Sequence, residues 1–141
     1  MKEKRTDDLR QELMKDADID LYLRDNEDVF SRRCIAEQLV ELLDRRQISK
    51  AALARTAGIS EVYLHQVFSA RRFPSRDRLI CICMGLEASL EETQNLLKEA
   101  SYAPLYPKNR RDAIVSYGIL HGMSPDQVNQ KLFSENERTL F

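Results

Sequence analysis

Cysteine, histidine, glycine and proline are all scarce in this chain, and each shortage closes a class of answer. The three cysteines, Cys34, Cys81 and Cys83, are odd in number, form no CxxC pair and have no histidine beside them. A disulfide framework or a zinc site needs such spacing, so the thiols read as small apolar groups in or near a core, and no metal or cofactor is expected. The two histidines, His65 and His121, lie far apart, and there is no GxSxG, no P-loop and no GxGxxG. Nothing fixes a catalytic set, and the chain reads as a non-enzyme. No apolar run reaches the roughly 18 residues that span a bilayer, so no membrane partner is expected. The charged opening Met1-Lys2-Glu3-Lys4-Arg5 leads into no apolar stretch and does not read as a secretory signal, which makes the cytoplasm the expected compartment. With four glycines, four prolines and only short β-branched runs, helical periodicity dominates.

What remains is a globular composition, 43% hydrophobic and 32% charged over 141 residues. That length suits one domain, or a core domain with short appendages, and can bury a real core. The net charge of −1 hides an uneven distribution. Residues 1–30 carry 6 Lys/Arg against 10 Asp/Glu, residues 31–78 carry 10 against 5, and residues 79–141 carry 6 against 8. A basic middle between acidic flanks suits a protein that meets a polyanion with one face.

Along the chain, an acidic segment at about 5–16 reads as a helix with Leu9 and Leu13 on one face. Residues 17–30 are ambiguous. Ile19, Leu21 and Leu23 alternate like a strand, but a lone short strand has no partner, so the segment is expected to be a loop or short helix on the body. Ile35, Leu39, Leu42 and Leu43 form a stripe that predicts a helix over 32–46. Ser49 caps a short helix over 50–56, Gly58 breaks it, and Ser60 caps the next, about 61–69. Phe73-Pro74-Ser75 closes that element. Leu79, Ile82, Cys83 and Leu86 predict a helix over 76–86. A Ser89/Glu92 capping box opens one over 90–100, with Thr93, Leu96, Leu97 and Ala100 inward. Asn109 caps 110–121, with Gly122 just past its end. Ser124-Pro125-Asp126-Gln127 starts a last helix, about 125–134, burying Val128 and Leu132.

The informative segment is Lys50-Ala51-Ala52-Leu53-Ala54-Arg55-Thr56-Ala57-Gly58-Ile59-Ser60-Glu61-Val62-Tyr63-Leu64-His65-Gln66-Val67. Small Ala54 permits a close helix crossing, and Gly58 supplies a positive-φ turn. Leu53, Ala57 and Ile59 face a shared core, and Leu64 and Val67 anchor the second helix. With these residues at these offsets, the stretch over about 34–88 resembles the helix-turn-helix of Xre/Cro-type, phage-repressor-like regulators. The resemblance implies an all-α fold: a five-helix, lambda-repressor-like core. It would lie within a helix-turn-helix domain at 31–100, flanked by an acidic segment at 1–30 and a helical extension at 101–141. That extension is a candidate dimer or partner surface. Two departures stand out: Lys50 occupies a position where the pattern often has Gln, and Ala70 one where it often has Gly.

The resemblance implies sequence-specific binding of double-stranded DNA in transcriptional control, repressor-type, as a homodimer. In such folds the free face of the second helix enters the major groove. Here that face carries Glu61, Val62, His65, Gln66 and Ser69. Gln66 can bond bidentately to adenine, His65 can donate to or accept from a base edge, Val62 can touch a thymine methyl, and Glu61 can accept from cytosine. Ser60 can bind a phosphate while capping, and Tyr63 sits at the edge of the buried face. Arg71, Arg72 and Arg76 follow, with Arg78 close behind, where phosphates flank the groove; Lys50 opens the first helix of the motif. Taken singly, His65 and Gln66 would read as solvated residues, and Arg71 and Arg72 as a solvated corner, or one of them as paired with Asp77. Arg110 and Arg111 read as structural, through Asp112 or Tyr106. The rival reading is a helix-turn-helix protein-interaction module, an antitoxin or signalling adaptor, or a second protein partner bound by the flanks.

Overall fold

The computed structural model describes residues 5–15, 18–26 and 33–141. They fall into two units, one within residues 1–31 and one within residues 32–141. Among the described residues every regular element is an α-helix, and no strand occurs. The expected ends of the first helix at 16 and the third at 32, and residues 27–30 of the ambiguous segment, lie outside the described residues.

The first unit holds α1 (Thr6–Lys15) and α2 (Ile19–Asp25). The alternating Ile19, Leu21 and Leu23 belong to a short helix, because the Asp18 side chain accepts the Asp20 N–H at 3.0 Å and caps it. Asn26 closes the pair, donating from Nδ2 to the Glu12 carboxylate at 2.7 Å and to the Tyr22 carbonyl at 3.0 Å.

The second unit holds α3 (Arg33–Arg46), α4 (Lys50–Ala57), α5 (Glu61–Phe68), α6 (Arg76–Gly85), α7 (Leu90–Glu99), α8 (Arg110–Leu120) and α9 (Pro125–Ser134). Six begin at a side-chain cap: Ser49, Ser60, Ser75, Ser89, Asn109 and Ser124 each accept a backbone N–H of the first turn. Ser89 with Glu92 and Ser124 with Gln127 complete capping boxes. The Ser89 N–H bond is the main reason the Glu92 carboxyl titrates below its usual range, with Arg46 and Arg45 adding to it. Those two arginines tie the end of α3 to the start of α7 at 3.3 and 3.2 Å.

Glycine scarcity has a visible consequence at the helix ends. Among the described residues, Gln47, Ala70, Glu87, Ser101 and Asn136, none of them glycine, take positive φ just beyond a helix. After α5, Ala70 (φ 62°) gives its N–H to the Val67 carbonyl and Arg71 gives its N–H to the Gln66 carbonyl at 2.8 Å. That pattern is a Schellman motif closed by alanine, in a conformation that strains any Cβ.

The core is centred on α6, which packs against α4, α7 and α9. Leu39, Leu53, Leu64, Leu79, Ile80, Ile82, Leu86, Leu97 and Leu132 are fully buried in it. Burying each such side chain stabilises the fold by about 1.5–3 kcal/mol relative to exposure. Cys81 and Cys83 are part of this core, and burial raises both thiols to about 12; at Cys83 a hydrogen bond with Thr93 opposes the rise. Cys34 is exposed.

Helices α8 and α9 pack on each other, and Gly118 makes that possible, since a Cβ there would run into the Val128 side chain. Two crossed ion pairs fasten α6 to α8. Arg76 grips Asp112 (3.2 and 3.3 Å), and Arg111 grips Asp77 with two 3.0 Å contacts. Segment 135–141 folds back over this junction. Arg111 donates to the carbonyls of Arg138 and Thr139, Leu140 is buried with its N–H on Asn129 Oδ1 at 2.6 Å, and Phe141 lies on Gly58.

Candidate nucleic-acid interface

Helices α4 and α5 are joined by the three residues Gly58, Ile59 and Ser60. Gly58 is left-handed (φ 69°, ψ 32°), and its N–H returns to the Ala54 carbonyl. The left-handed turn favours glycine, and a Cβ there would sit 2.7 Å from the tip of the exposed Phe141 ring, which would have to shift. Ile59 is half-buried against the core, and its N–H also reaches the Ala54 carbonyl at 3.0 Å. Ser60 then starts α5, its Oγ accepting the Tyr63 N–H at 3.2 Å.

The eight residues of α5 divide cleanly by exposure. Tyr63, Leu64, Val67 and Phe68 are buried, against α3 and α4. Glu61, Val62, His65 and, at the C-cap, Ser69 are exposed, and Gln66 is half-buried. Val62, an apolar side chain, is 68% exposed. The hydroxyl of Ser69 turns back to the Gln66 carbonyl at 3.2 Å. Lys50, at the start of α4, is half-buried with its ammonium 5.7 Å from the centre of the Phe68 ring.

The arginines beyond α5 separate into two groups. Arg72 and Arg78 are exposed, and both guanidinium groups converge on the Tyr63 ring, with their carbons 4.9 and 4.3 Å from its centre. Arg72 also donates to Gln66 Oε1 at 3.4 Å. Neither forms an ion pair among the described residues. Arg71 is exposed too, its backbone held by Gln66. Arg76 differs: it is occupied by Asp112 and by the carbonyls of Ala103 (2.8 Å) and Pro104 (3.3 Å). Asp77 pairs with Arg111 (3.0 Å) and Arg138 (3.6 Å) rather than with Arg71 or Arg72. Arg110 pairs with Glu135 and Glu137, not with Asp112.

The loop carrying these arginines is anchored from α7's end. The Tyr102 hydroxyl donates to the Pro74 carbonyl at 2.8 Å, and its ring packs on Phe73. Burial, with a smaller contribution from Tyr63, pushes the Tyr102 phenol above its usual range, so it remains a donor.

Sequence reasoning placed Arg71, Arg72 and Arg76 at the phosphates, with Arg78 close behind, and did not set Arg76 apart. Spacing alone separates them poorly, because the choice is made by Asp112, 36 residues away. The one readable signal was the Ser75 cap, which fixes Arg78 two positions along the first turn from Arg76. Nothing local announced Phe141 at the turn. Among the described residues no group of three His, Cys, Asp or Glu side chains is placed to hold a metal ion, and no helix is long and apolar enough to cross a membrane. No family of known proteins, no curated protein and no solved structure matches this chain.

Proposed function

We propose that this chain is a transcriptional regulator that binds double-stranded DNA in a sequence-specific way, with α5 in the major groove of the duplex. Helices α3–α7 are read as a helix-turn-helix core of the phage-repressor type. The observation that carries the reading is α5 itself: one side anchored by Leu64, Val67 and Phe68, the other presenting Glu61, Val62 and His65 to solvent, with Gln66 half-buried beside them. Arg71, Arg72 and Arg78 flank it, exposed. A helix held by one face, with an unpacked polar face beside cations, has the geometry that base readout needs.

In this reading Gln66 and His65 address base edges, Val62 a thymine methyl and Glu61 a cytosine amino group. Ser60, Lys50, Arg71, Arg72 and Arg78 address phosphates and set register. Arg76 is assigned instead to holding α8, and Tyr63 to supporting the two guanidinium groups. The protein acts as a homodimer on a two-fold site. The pair α8 and α9, whose Tyr117, Leu120 and Phe133 are exposed, is the proposed contact between copies. About four cations per protomer give a dimer Z of about eight, and a slope of log K against log salt of roughly −7.

Gln66→Ala tests the base-reading role. It is expected to cost about 1–3 kcal/mol on a preferred site and to relax one base position. Equal weakening on preferred and random duplex would remove Gln66 from base readout. Absence of any salt-sensitive affinity for duplex would favour the protein-interaction reading.

A further inference from the structure

A cleft of about 450 Å³ opens beside α5, with Ile59, Val62 and Phe141 among its apolar lining. Its polar side-chain lining comes from Ser60, Gln66, Arg72 and Arg78, and no Asp or Glu side chain takes part. We propose that this cleft binds a small organic anion, a carboxylate or phosphate monoester carried on an apolar, preferably aromatic, body.

Three observations carry this. First, the charged side chains of the lining are of one sign. Arg72 and Arg78 are drawn onto one Tyr63 ring, and neither is neutralised by an ion pair among the described residues. Two like charges held on the same ring repel, and an anion bound beside them relieves that repulsion while accepting charge-assisted hydrogen bonds. Second, the volume lies in the range of small-molecule pockets, about 300–1,000 Å³, and exceeds what a lone inorganic anion fills. Third, the remaining lining is chemically suited to a body rather than to more charge. The Phe141 ring, held against Gly58 by segment 135–141, supplies an aromatic wall, and Ile59 and Val62 supply aliphatic ones.

The cleft shares Val62 and Gln66 with the face proposed to read DNA. An occupant and a duplex would therefore exclude one another, a consequence that rests on the DNA reading. Binding of the anion itself does not, and is measured without DNA. The full chain, labelled with nitrogen-15, is titrated with phenyl phosphate, inorganic phosphate and benzyl alcohol. Phenyl phosphate is expected to move the amide signals of Ser60, Tyr63, Gln66 and Phe141. It is expected to bind about tenfold or more tightly than either of the other two, since charge-assisted contact and apolar burial each exceed that weight. Arg72→Gln and Arg78→Gln should each weaken it about tenfold with unchanged signal dispersion, whereas Arg110→Gln, an exposed arginine paired elsewhere, should not. Equal binding of inorganic phosphate would overturn the organic body, and equal binding of benzyl alcohol would overturn the anion. Movement confined to other residues would overturn the site.

Discussion

Replacing Arg76 by alanine separates stability from DNA contact more sharply than any other single change. Its side chain is 23% exposed and that of Asp112 is 11% exposed. Truncation removes the ion pair and both carbonyl bonds to Ala103 and Pro104, and leaves the Asp112 carboxylate with only the Tyr106 N–H at 3.0 Å. Breaking a fully buried pair from one side costs about 3–5 kcal/mol. Partial exposure at Arg76 lets water screen the orphaned carboxylate, which brings the expected loss to about 2–3 kcal/mol. Urea unfolding of Arg76→Ala, Asp112→Ala and the double variant measures it, with a coupling of about 1–2 kcal/mol expected for groups in direct contact. Under conditions where the variant is folded, its salt slope on duplex DNA should match that of the parent. Arg72→Ala, by contrast, should flatten a dimer's slope by about 1.8 with little change in stability. A stable Arg76→Ala protein with a flattened slope would refute this division and return Arg76 to the phosphate contacts.

Two further outcomes follow from particular residues. Ala70→Gly relieves a left-handed alanine at the end of α5. The strain is about 1–2 kcal/mol and the added unfolded-state entropy of glycine about 0.5–1 kcal/mol, so the unfolding free energy from urea titration should rise, by up to about 1.5 kcal/mol. A fall would show that Ala70 earns its place through its methyl group. In the native protein only Cys34 should react with a thiol reagent at neutral pH, and all three cysteines should react in denaturant, because Cys81 and Cys83 are buried with thiols raised to about 12. The same shifts set an alkaline limit. Their folded values lie above the unfolded one, so the stability they contribute is intact below about pH 9. It is lost as pH rises above that, because the unfolded thiols ionise first while the buried ones stay protonated.

Helix starts and faces were legible because they are local. Ser49, Ser60, Ser89, Asn109 and Ser124 each reach a backbone N–H only three residues on. The stripes through Leu39, Leu79 and Leu96 record burial directly as a period. Where period and cap disagreed, at Ile19, Leu21 and Leu23, the Asp18 cap prevailed; all three side chains are exposed, so their alternation marks no buried face. The division of arginines was not legible. Arg76 and Arg111 find partners 36 and 34 residues away, and Arg72 and Arg78 are distinguished only by the ring they share. The contact of Phe141 with Gly58 depends on the whole of α8, α9 and segment 135–141 being in place.

The central claim is that α5 reads a duplex, and selection from a pool of random duplexes tests it most directly. The full chain is incubated with the pool at about 100 mM salt, where phosphate contacts are still felt, and retained sequences are read over several rounds. The account predicts a two-fold motif whose half-sites lie one helical turn, or a multiple of it, apart, with one position relaxed in Gln66→Ala. No retained duplex, or retention without enrichment of any sequence, would contradict it.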